Sequence, residues 1–187
     1  QAIKQVQQFM EFEMPKILEI ARKHKAGDPN VQALTFYQAN ANGTVTDKVL
    51  KLIWMRCSLG QTWTGRSCDG KAKKYAWGEA KQIAKKMHFA GHSDWRLPTI
   101  EELKSLVYCS NGVDGDGDGY RWCVKGSQIP TLFQSLFPNT PAEFYWSTSL
   151  IAKGSDAAWG VHFGYGYDYY YYYRYFSFHV RLVRSGQ

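Results

Sequence analysis

Residues 92–109 read HSDWRLPTIEELKSLVYC, the stretch with the most specific folding signals in the chain. Thr99 precedes Glu102 by three positions, a spacing typical of a capping box at the start of a helix. The buried side of this helix is predicted to consist of three apolar residues, Leu103, Leu106 and Val107. The stretch therefore predicts a helix that begins after Thr99 and packs one face against a core.

A second helix is predicted just upstream, over residues 71–87, where the sequence reads KAKKYAWGEAKQIAKKM. One face of this segment is apolar and the other carries lysines, which is the pattern of an amphipathic helix. The apolar face consists of Ala76, Ala80, Ile83, Ala84 and Met87.

Strand-like patterns lie on both sides of the two helices. ALTFY at 33–37 and TVTDKVLKLIWMRC at 44–57 flank the turn NANG, and YWSTS, AAWGVHF and FHVRLVR follow near the end of the chain. Glycine-containing turns separate these apolar runs, as expected for antiparallel strands. The order of strands, two helices and strands predicts an α+β fold with a mainly antiparallel sheet.

Residues 1–33 differ from the rest of the chain in the spacing of their apolar residues. Their apolar residues recur at roughly helical spacing, interrupted by Pro15, and GDPN at 27–30 has the composition of a turn. This pattern predicts an N-terminal helical extension, either two short helices or one kinked helix. A single domain at 34–187 is predicted to follow it.

The four cysteines form two pairs that are close in sequence, Cys57 with Cys68 and Cys109 with Cys123. Neighbour pairing is one of three possible connectivities, and neither spacing matches a zinc knuckle or a redox motif. We interpret the pairs as two local disulfides, with four free thiols as the alternative. Disulfides indicate a protein outside the reducing cytoplasm, at the cell surface, in the periplasm or secreted.

The distribution of charged and apolar residues indicates neither a nucleic-acid-binding protein nor a membrane-spanning helix. The net charge is +7 and the pI is about 9.2, but the basic residues are scattered and interleaved with acids. Scattered charge favours general attraction to anionic surfaces over a nucleic-acid stripe. The sequence contains no apolar run of the length that a spanning helix needs.

One segment resembles a cation site. In VDGDGDGYRW, Asp114, Asp116 and Asp118 match the first half of a calcium loop, in which alternating carboxylates converge on one ion. The second half does not match, because Lys125 stands where a bidentate glutamate is needed. Calcium is therefore the one candidate cofactor, and a solvated loop between linked cysteines is the alternative.

The most unusual segment is GYGYDYYYYYRYF at residues 164–176, which we call the tyrosine segment. It holds eight of the thirteen tyrosines of the chain. Successive side chains of a strand alternate between faces, so adjacent tyrosines cannot all point inward. A buried tyrosine hydroxyl without a partner costs about 1 to 3 kcal/mol. The segment is therefore predicted to present part of its aromatic surface to solvent or to a partner.

Several stretches, taken together, resemble the bacterial Lcl C-terminal domain family. They are NANGTVTDKVLKLIWMRCSLGQTWTGRSC, FAGHSDWRLPTIEELKSLVYC, FPNTPAEFYWSTS, AWGVHF and VRLVRSGQ. The resemblance covers residues 36–187 in order, and DWRLPT and VRLVR are its most specific parts. It implies an extracytoplasmic domain with a C-type-lectin-like fold of the formylglycine-generating-enzyme type, in which the N- and C-terminal strands pair.

The resemblance also implies a binding surface built from the C-terminal strands and loops. Some members of the family are variable proteins of diversity-generating retroelements, in which a reverse transcriptase changes adenines of a C-terminal repeat. The residues whose types fit such mutagenesis are Gly160, His162, Tyr165, Tyr167, Tyr169, Tyr170, Tyr171, Tyr172, Tyr173, Tyr175, Phe176, Phe178 and His179. The implied scaffold consists of Trp146, Trp159, Val161, Phe163, Val180, Leu182 and Val183.

Three functional hypotheses follow. The first is a non-enzymatic, receptor- or adhesin-like variable protein that binds a protein or glycan through its C-terminal surface. The second is a lectin or adhesin of fixed specificity, with calcium in the Asp114 loop. The third is a structural or oligomerisation domain. An enzyme is not expected, because the chain has no cysteine after Cys123 and so lacks the cysteines of the sulfatase-modifying relatives.

Overall fold

The structure is a computed structural model that describes residues 35–116, 121–151 and 156–186, with only the backbone described at 167–171. The predicted helical extension at 1–33 lies outside the described residues. In the described part, the strands in chain order are β1 (Tyr37–Ala39), β2 (Thr44–Asp47), β3 (Leu52–Met55), β4 (Thr62–Trp63), β5 (Cys68–Asp69), β6 (Tyr75–Ala76), β7 (Val113–Gly115), β8 (Arg121–Cys123), β9 (Phe144–Leu150), β10 (Ala157–His162), β11 (Tyr167–Tyr173), β12 (Ser177–Phe178) and β13 (Val183–Ser185).

The strands pair antiparallel in several small sheets. Two sheets are larger, one with the order β1-β2-β3-β13 and one with the order β11-β10-β9. Three ribbons of two strands each, β12-β6, β4-β5 and β7-β8, complete the described pairing. The C-terminal strand β13 joins the first sheet beside β3, with Val183 opposite Trp54.

The predicted α+β, C-type-lectin-like architecture is wrong. The described chain consists mostly of small antiparallel strands, and the helices α1 (Trp77–Lys86) and α2 (Ile100–Lys104) have only ten and five residues. Both helices are shorter than their sequence patterns predict, because tertiary hydrogen bonds take over the flanking residues. Tyr75 and Ala76 pair with β12, and the amide of Tyr108 donates to the carbonyl of Thr131 at 2.9 Å.

The predicted capping box at Thr99 is confirmed. The Thr99 hydroxyl accepts from the amide of Glu102 at 3.2 Å, and the Glu102 carboxylate accepts from the amide of Thr99 at 2.8 Å. The same carboxylate accepts from both terminal nitrogens of Arg96 at 2.7 Å. Glu102 therefore fixes the helix start and the preceding DWRLPT stretch at once.

The DWRLPT and VRLVR stretches, at 94–99 and 180–184, contact each other directly. The backbones of Arg96 and Val183 exchange two hydrogen bonds of 2.9 and 3.0 Å. Asp94 accepts from Arg184 Nε at 2.7 Å, and Arg184 is buried. The two stretches that are most specific in sequence therefore form one structural unit, which holds the C-terminal segment next to the start of α2.

Buried side chains lie on both faces of the β9-β10-β11 sheet. On β9, Tyr145 belongs to one core cluster, whereas its neighbours Phe144 and Trp146 belong to the other. Because side chains alternate along a strand, this strand separates the two clusters. The first cluster also contains Trp54 and Leu103, the second Trp77 and Trp95.

A fully buried guanidinium, that of Arg181, joins several loops in the interior. Its Nη1 donates to the carbonyls of Met55, at 3.0 Å, and Arg56, and its Nη2 donates to the Thr140 hydroxyl at 2.6 Å. The guanidinium also lies over the ring of Phe137, 4.7 Å from its centroid. Burial lowers the pKa of Arg181 to about 10, so the side chain stays charged at neutral pH.

Replacing Arg181 tests how much the fold depends on this guanidinium. Arg181→Met keeps much of the apolar stem but leaves buried acceptors without their donors, so we expect it to lower the free energy of unfolding by roughly 3 kcal/mol or more. The exposed Arg66 provides the control, and Arg66→Met should change stability by less than about 0.5 kcal/mol. Urea unfolding measures both, and equal stabilities would contradict the role of Arg181.

Candidate functional site

Exposed aromatic side chains cluster at residues 173–176, the last residue of β11 and the turn that leads to β12, which we call the aromatic turn. Tyr173, Tyr175 and Phe176 are 55%, 71% and 43% exposed. The rings of Tyr173 and Tyr175 are stacked, with centroids 5.5 Å apart and planes inclined by 7°. The Phe176 ring lies 4.8 Å from that of Tyr175. Three large rings therefore form one exposed aromatic group.

Hydrogen bonds fix the backbone of the aromatic turn. The amide of Arg174 donates to the carbonyl of Asp156 at 2.8 Å, and the carbonyl of Arg174 accepts from the amide of Trp77 at 3.1 Å. The Arg174 side chain donates to the Asp156 carboxylate at 2.6 Å and lies over the Trp77 ring. Within the turn, the amide of Phe176 donates to the carbonyl of Tyr173 at 3.0 Å. The turn is thus held between α1 and the start of β10.

Tyr165 lies at the opposite end of the β10–β11 hairpin. It is 58% exposed, and its ring is 4.8 Å from that of His162. Its carbonyl accepts from the amide of Cys123 at 3.0 Å, which ties this turn to the second disulfide loop. The seven residues of β11 span about 20 Å, and Tyr165 and the aromatic turn lie at its opposite ends.

Gly160 and His179, which were predicted to contact ligand, lie in the interior, and Phe178, for which the prediction was the same, is half-buried. A Cβ atom at Gly160 would be 2.1 Å from the carbonyl oxygen of Tyr145. Phe178 packs against Phe144 and Trp146 with centroid distances of 4.6 and 5.0 Å, and His179 is only 3% exposed. Their sequence types alone could not reveal this, because glycine, phenylalanine and histidine occur in cores and at surfaces.

The remaining predicted contact residues lie on β11. Tyr172 is half-buried and packs edge-on against Phe144, with centroids 5.0 Å apart. The side chains of Tyr167, Tyr169, Tyr170 and Tyr171 lie outside the described residues, but their backbone forms an edge strand that pairs with β10.

The predicted calcium loop is only partly described. Asp114 and Asp116 are exposed on and next to β7, and Asp118 lies outside the described residues. The Asp114 carboxylate accepts from the neighbouring amide of Gly115 at 2.8 Å. Over the described ranges, no three His, Cys, Asp or Glu side chains are grouped to hold a metal ion.

Both predicted disulfides, Cys57–Cys68 and Cys109–Cys123, are present. Each closes a local loop, and such bonds form in oxidising compartments, which supports an extracytoplasmic environment. Within the described residues, no helix is long and apolar enough to cross a membrane.

A comparison with known protein families supports the resemblance seen in the sequence. A model described as the Lcl C-terminal domain matches residues 43–184, which include both disulfides, DWRLPT, VRLVR and the aromatic turn. The chain belongs to the Lcl C-terminal domain family. Comparisons with curated proteins and with solved structures found no match. In this Lcl C-terminal domain, DWRLPT pairs with VRLVR, and Asp156 and Trp77 hold the aromatic turn through Arg174.

Sequence reasoning missed the residues that hold the aromatic turn. The β10–β11 hairpin brings Asp156 next to Arg174, and the pairing of β6 with β12 brings Trp77, which is distant in sequence, to the same place. The one available signal was the basic residue within the tyrosine segment, since arginine often stacks on aromatic rings.

The close packing around Gly160 of the Lcl C-terminal domain can be tested by substitution, with Gly78 as the control. We expect Gly160→Ala to lower the free energy of unfolding by about 3 kcal/mol, since its Cβ would overlap the backbone of β9. Gly78→Ala, in α1, has open space around its Cβ and should stabilise the protein by about 0.5 kcal/mol. Thermal or urea unfolding measures both changes. A stable Gly160→Ala protein would show that this position can vary freely.

Two histidines make stability depend on pH. Burial lowers the pKa of His162 and that of His179 below the ordinary value of 6.5, so the unfolded chain binds more protons than the folded one just below that pH. The free energy of unfolding should therefore fall as the pH is lowered from 7 to 5. Urea unfolding at several pH values measures this, and NMR titration of the imidazole signals gives the midpoints. Midpoints above 6.5 would contradict the prediction.

Proposed function

We propose that this Lcl C-terminal domain is a non-enzymatic ligand-binding module of receptor or adhesin type, and that the aromatic turn is its principal described contact surface. The observation that carries the proposal is the exposed ring group of Tyr173, Tyr175 and Phe176. Clustered exposed aromatic side chains mark interaction sites, because their apolar area is left in contact with water until a partner covers it.

The fixed backbone of the turn supports this proposal. Tyrosine offers a large contact area with few rotatable bonds, and a turn that is already ordered loses little entropy when it binds. The backbone bonds of Arg174 to Asp156 and Trp77 provide that order. The ligand is a protein or a glycan, since tyrosine rings stack on apolar faces of either while their hydroxyls exchange hydrogen bonds.

We further propose that the tyrosine segment is a variable region of a diversity-generating retroelement. Its support is the position of β11, which is an edge strand, so that changes in its sequence do not alter a central strand. The packed positions Gly160, Phe178 and His179 would be held constant by their contacts. The genomic test is a neighbouring reverse transcriptase gene with a near-copy of the 3′ end that differs at adenines. Its absence would leave a receptor of fixed specificity.

Binding through the aromatic turn can be tested with serine substitutions. We expect the triple variant Tyr173→Ser, Tyr175→Ser, Phe176→Ser to lose at least tenfold in affinity, because buried aromatic anchors each contribute more than about 1 kcal/mol to binding. The screen uses glycan arrays and arrays of extracellular proteins, and the affinity of each hit is measured by surface plasmon resonance.

The control variant is Val49→Ser, Leu50→Ser, which removes two similarly exposed apolar side chains from the turn between β2 and β3. It should bind as the unmodified protein does. If the triple variant unfolds or dissociates an oligomer, and no ligand is found for the unmodified protein, the aromatic turn has a structural role and the proposal is wrong.

A further inference from the structure

A second potential site lies away from the aromatic turn, in an open cavity of about 650 Å³. Its lining consists of Lys71, Ala72, Lys73, Lys74, Pro141, Glu143 and His179. The lining comes from the segment before β6, the segment before β9 and the residue after β12. None of the three rings of the aromatic turn lines it.

His179 gives this cavity an unusual hydrogen-bonding property. Its ring Nδ1 is 3.1 Å from the carbonyl oxygen of Lys73, and a carbonyl can only accept, so Nδ1 carries the proton. In the neutral imidazole, Nε2 is then an acceptor. Nε2 is buried and has no hydrogen-bond partner. A buried acceptor without a donor is costly, and such a group calls for a partner from outside the chain.

The neighbouring carboxylate of Glu143 cannot supply that partner. The Glu143 carboxylate is 3.8 Å from His179 Nε2, which is beyond hydrogen-bonding distance. It is also an acceptor, since its pKa is lowered by the hydrogen bond from Lys74 and it is ionised at neutral pH. The Glu143 carboxylate already accepts from Lys74, so His179 Nε2 is the acceptor at the cavity wall that lacks a donor.

The rest of the wall provides complementary groups. The ammonium groups of Lys71 and Lys73 are donors on exposed side chains, and Ala72 and Pro141 supply apolar surface. A group that both donates and accepts, such as a hydroxyl, can donate to Nε2 or the carboxylate and accept from a lysine. A purely anionic group could accept from the lysines but offers no proton to Nε2 of the neutral imidazole.

We propose that this cavity binds a neutral, polyhydroxylated ligand of monosaccharide size, with one hydroxyl donating to His179 Nε2 and a second contacting Glu143. The volume is within the range of small-molecule sites. The apolar surface of Pro141 and Ala72 faces the C–H side of such a ligand. This site does not depend on the proposed role of the aromatic turn.

NMR titration of the complete chain tests the proposal. The probes are glucose, galactose, mannose and glycerol, and the readout is the imidazole signals of His179. We expect a saturable shift with at least one hexose at millimolar concentration, and at least tenfold weaker binding in the Glu143→Ala variant. Glu143 is half-exposed, so the variant should fold.

The matched control is Glu79→Ala, which removes an exposed carboxylate on α1 outside the cavity and should leave hexose binding unchanged. Sodium sulfate is the anionic probe. If sulfate shifts the His179 signals and no hexose or glycerol does, the cavity is an anion site and the proposal is overturned. The absence of any shift with all probes, which leaves water as the partner of Nε2, also overturns it.

Discussion

The buried guanidinium of Arg181 is the interaction on which the arrangement of the domain depends. It takes a charge out of water, and only several acceptors at once can compensate for that transfer. Those acceptors come from the backbone after β3 and from Thr140, just before β9. The buried position of the C-terminal segment therefore depends on both regions. Val180 and Leu182, which flank Arg181 in sequence, lie in the second core cluster.

The aromatic turn is a consequence of that closure. Once the C-terminal segment is fixed, β12 must pair with β6, and the chain between β11 and β12 must cross the start of α1. Trp77 and Asp156 hold Arg174 at this crossing, so its neighbours Tyr173 and Tyr175 project outward. A surface that is exposed and yet rigid results from the same contacts that complete the core.

The two proposed sites use the C-terminal segment in different ways. At the aromatic turn, apolar rings lie outside on a fixed backbone. At the His179 cavity, one polar atom lies inside without a partner. Only two residues separate Phe176 from His179, and strand alternation at β12 carries the chain from one environment to the other. A chain that varied its exposed residues would therefore have to keep the interior ones unchanged.

The sequence by itself determined the local features of this protein. The capping box at Thr99, the two neighbouring disulfides and the family membership rest on short-range spacing and on residue types that have few alternatives. The sequence pattern failed where non-local hydrogen bonds competed with local propensity. Tyr75 and Ala76 of the predicted helix at 71–87 form β6 instead, and small antiparallel sheets replace the predicted α+β architecture.

Only the tertiary structure decided which members of the C-terminal segment face water. Gly160 and His179 are interior because Tyr145 and the carbonyl of Lys73 approach them from distant parts of the chain, and no local pattern encodes such an approach.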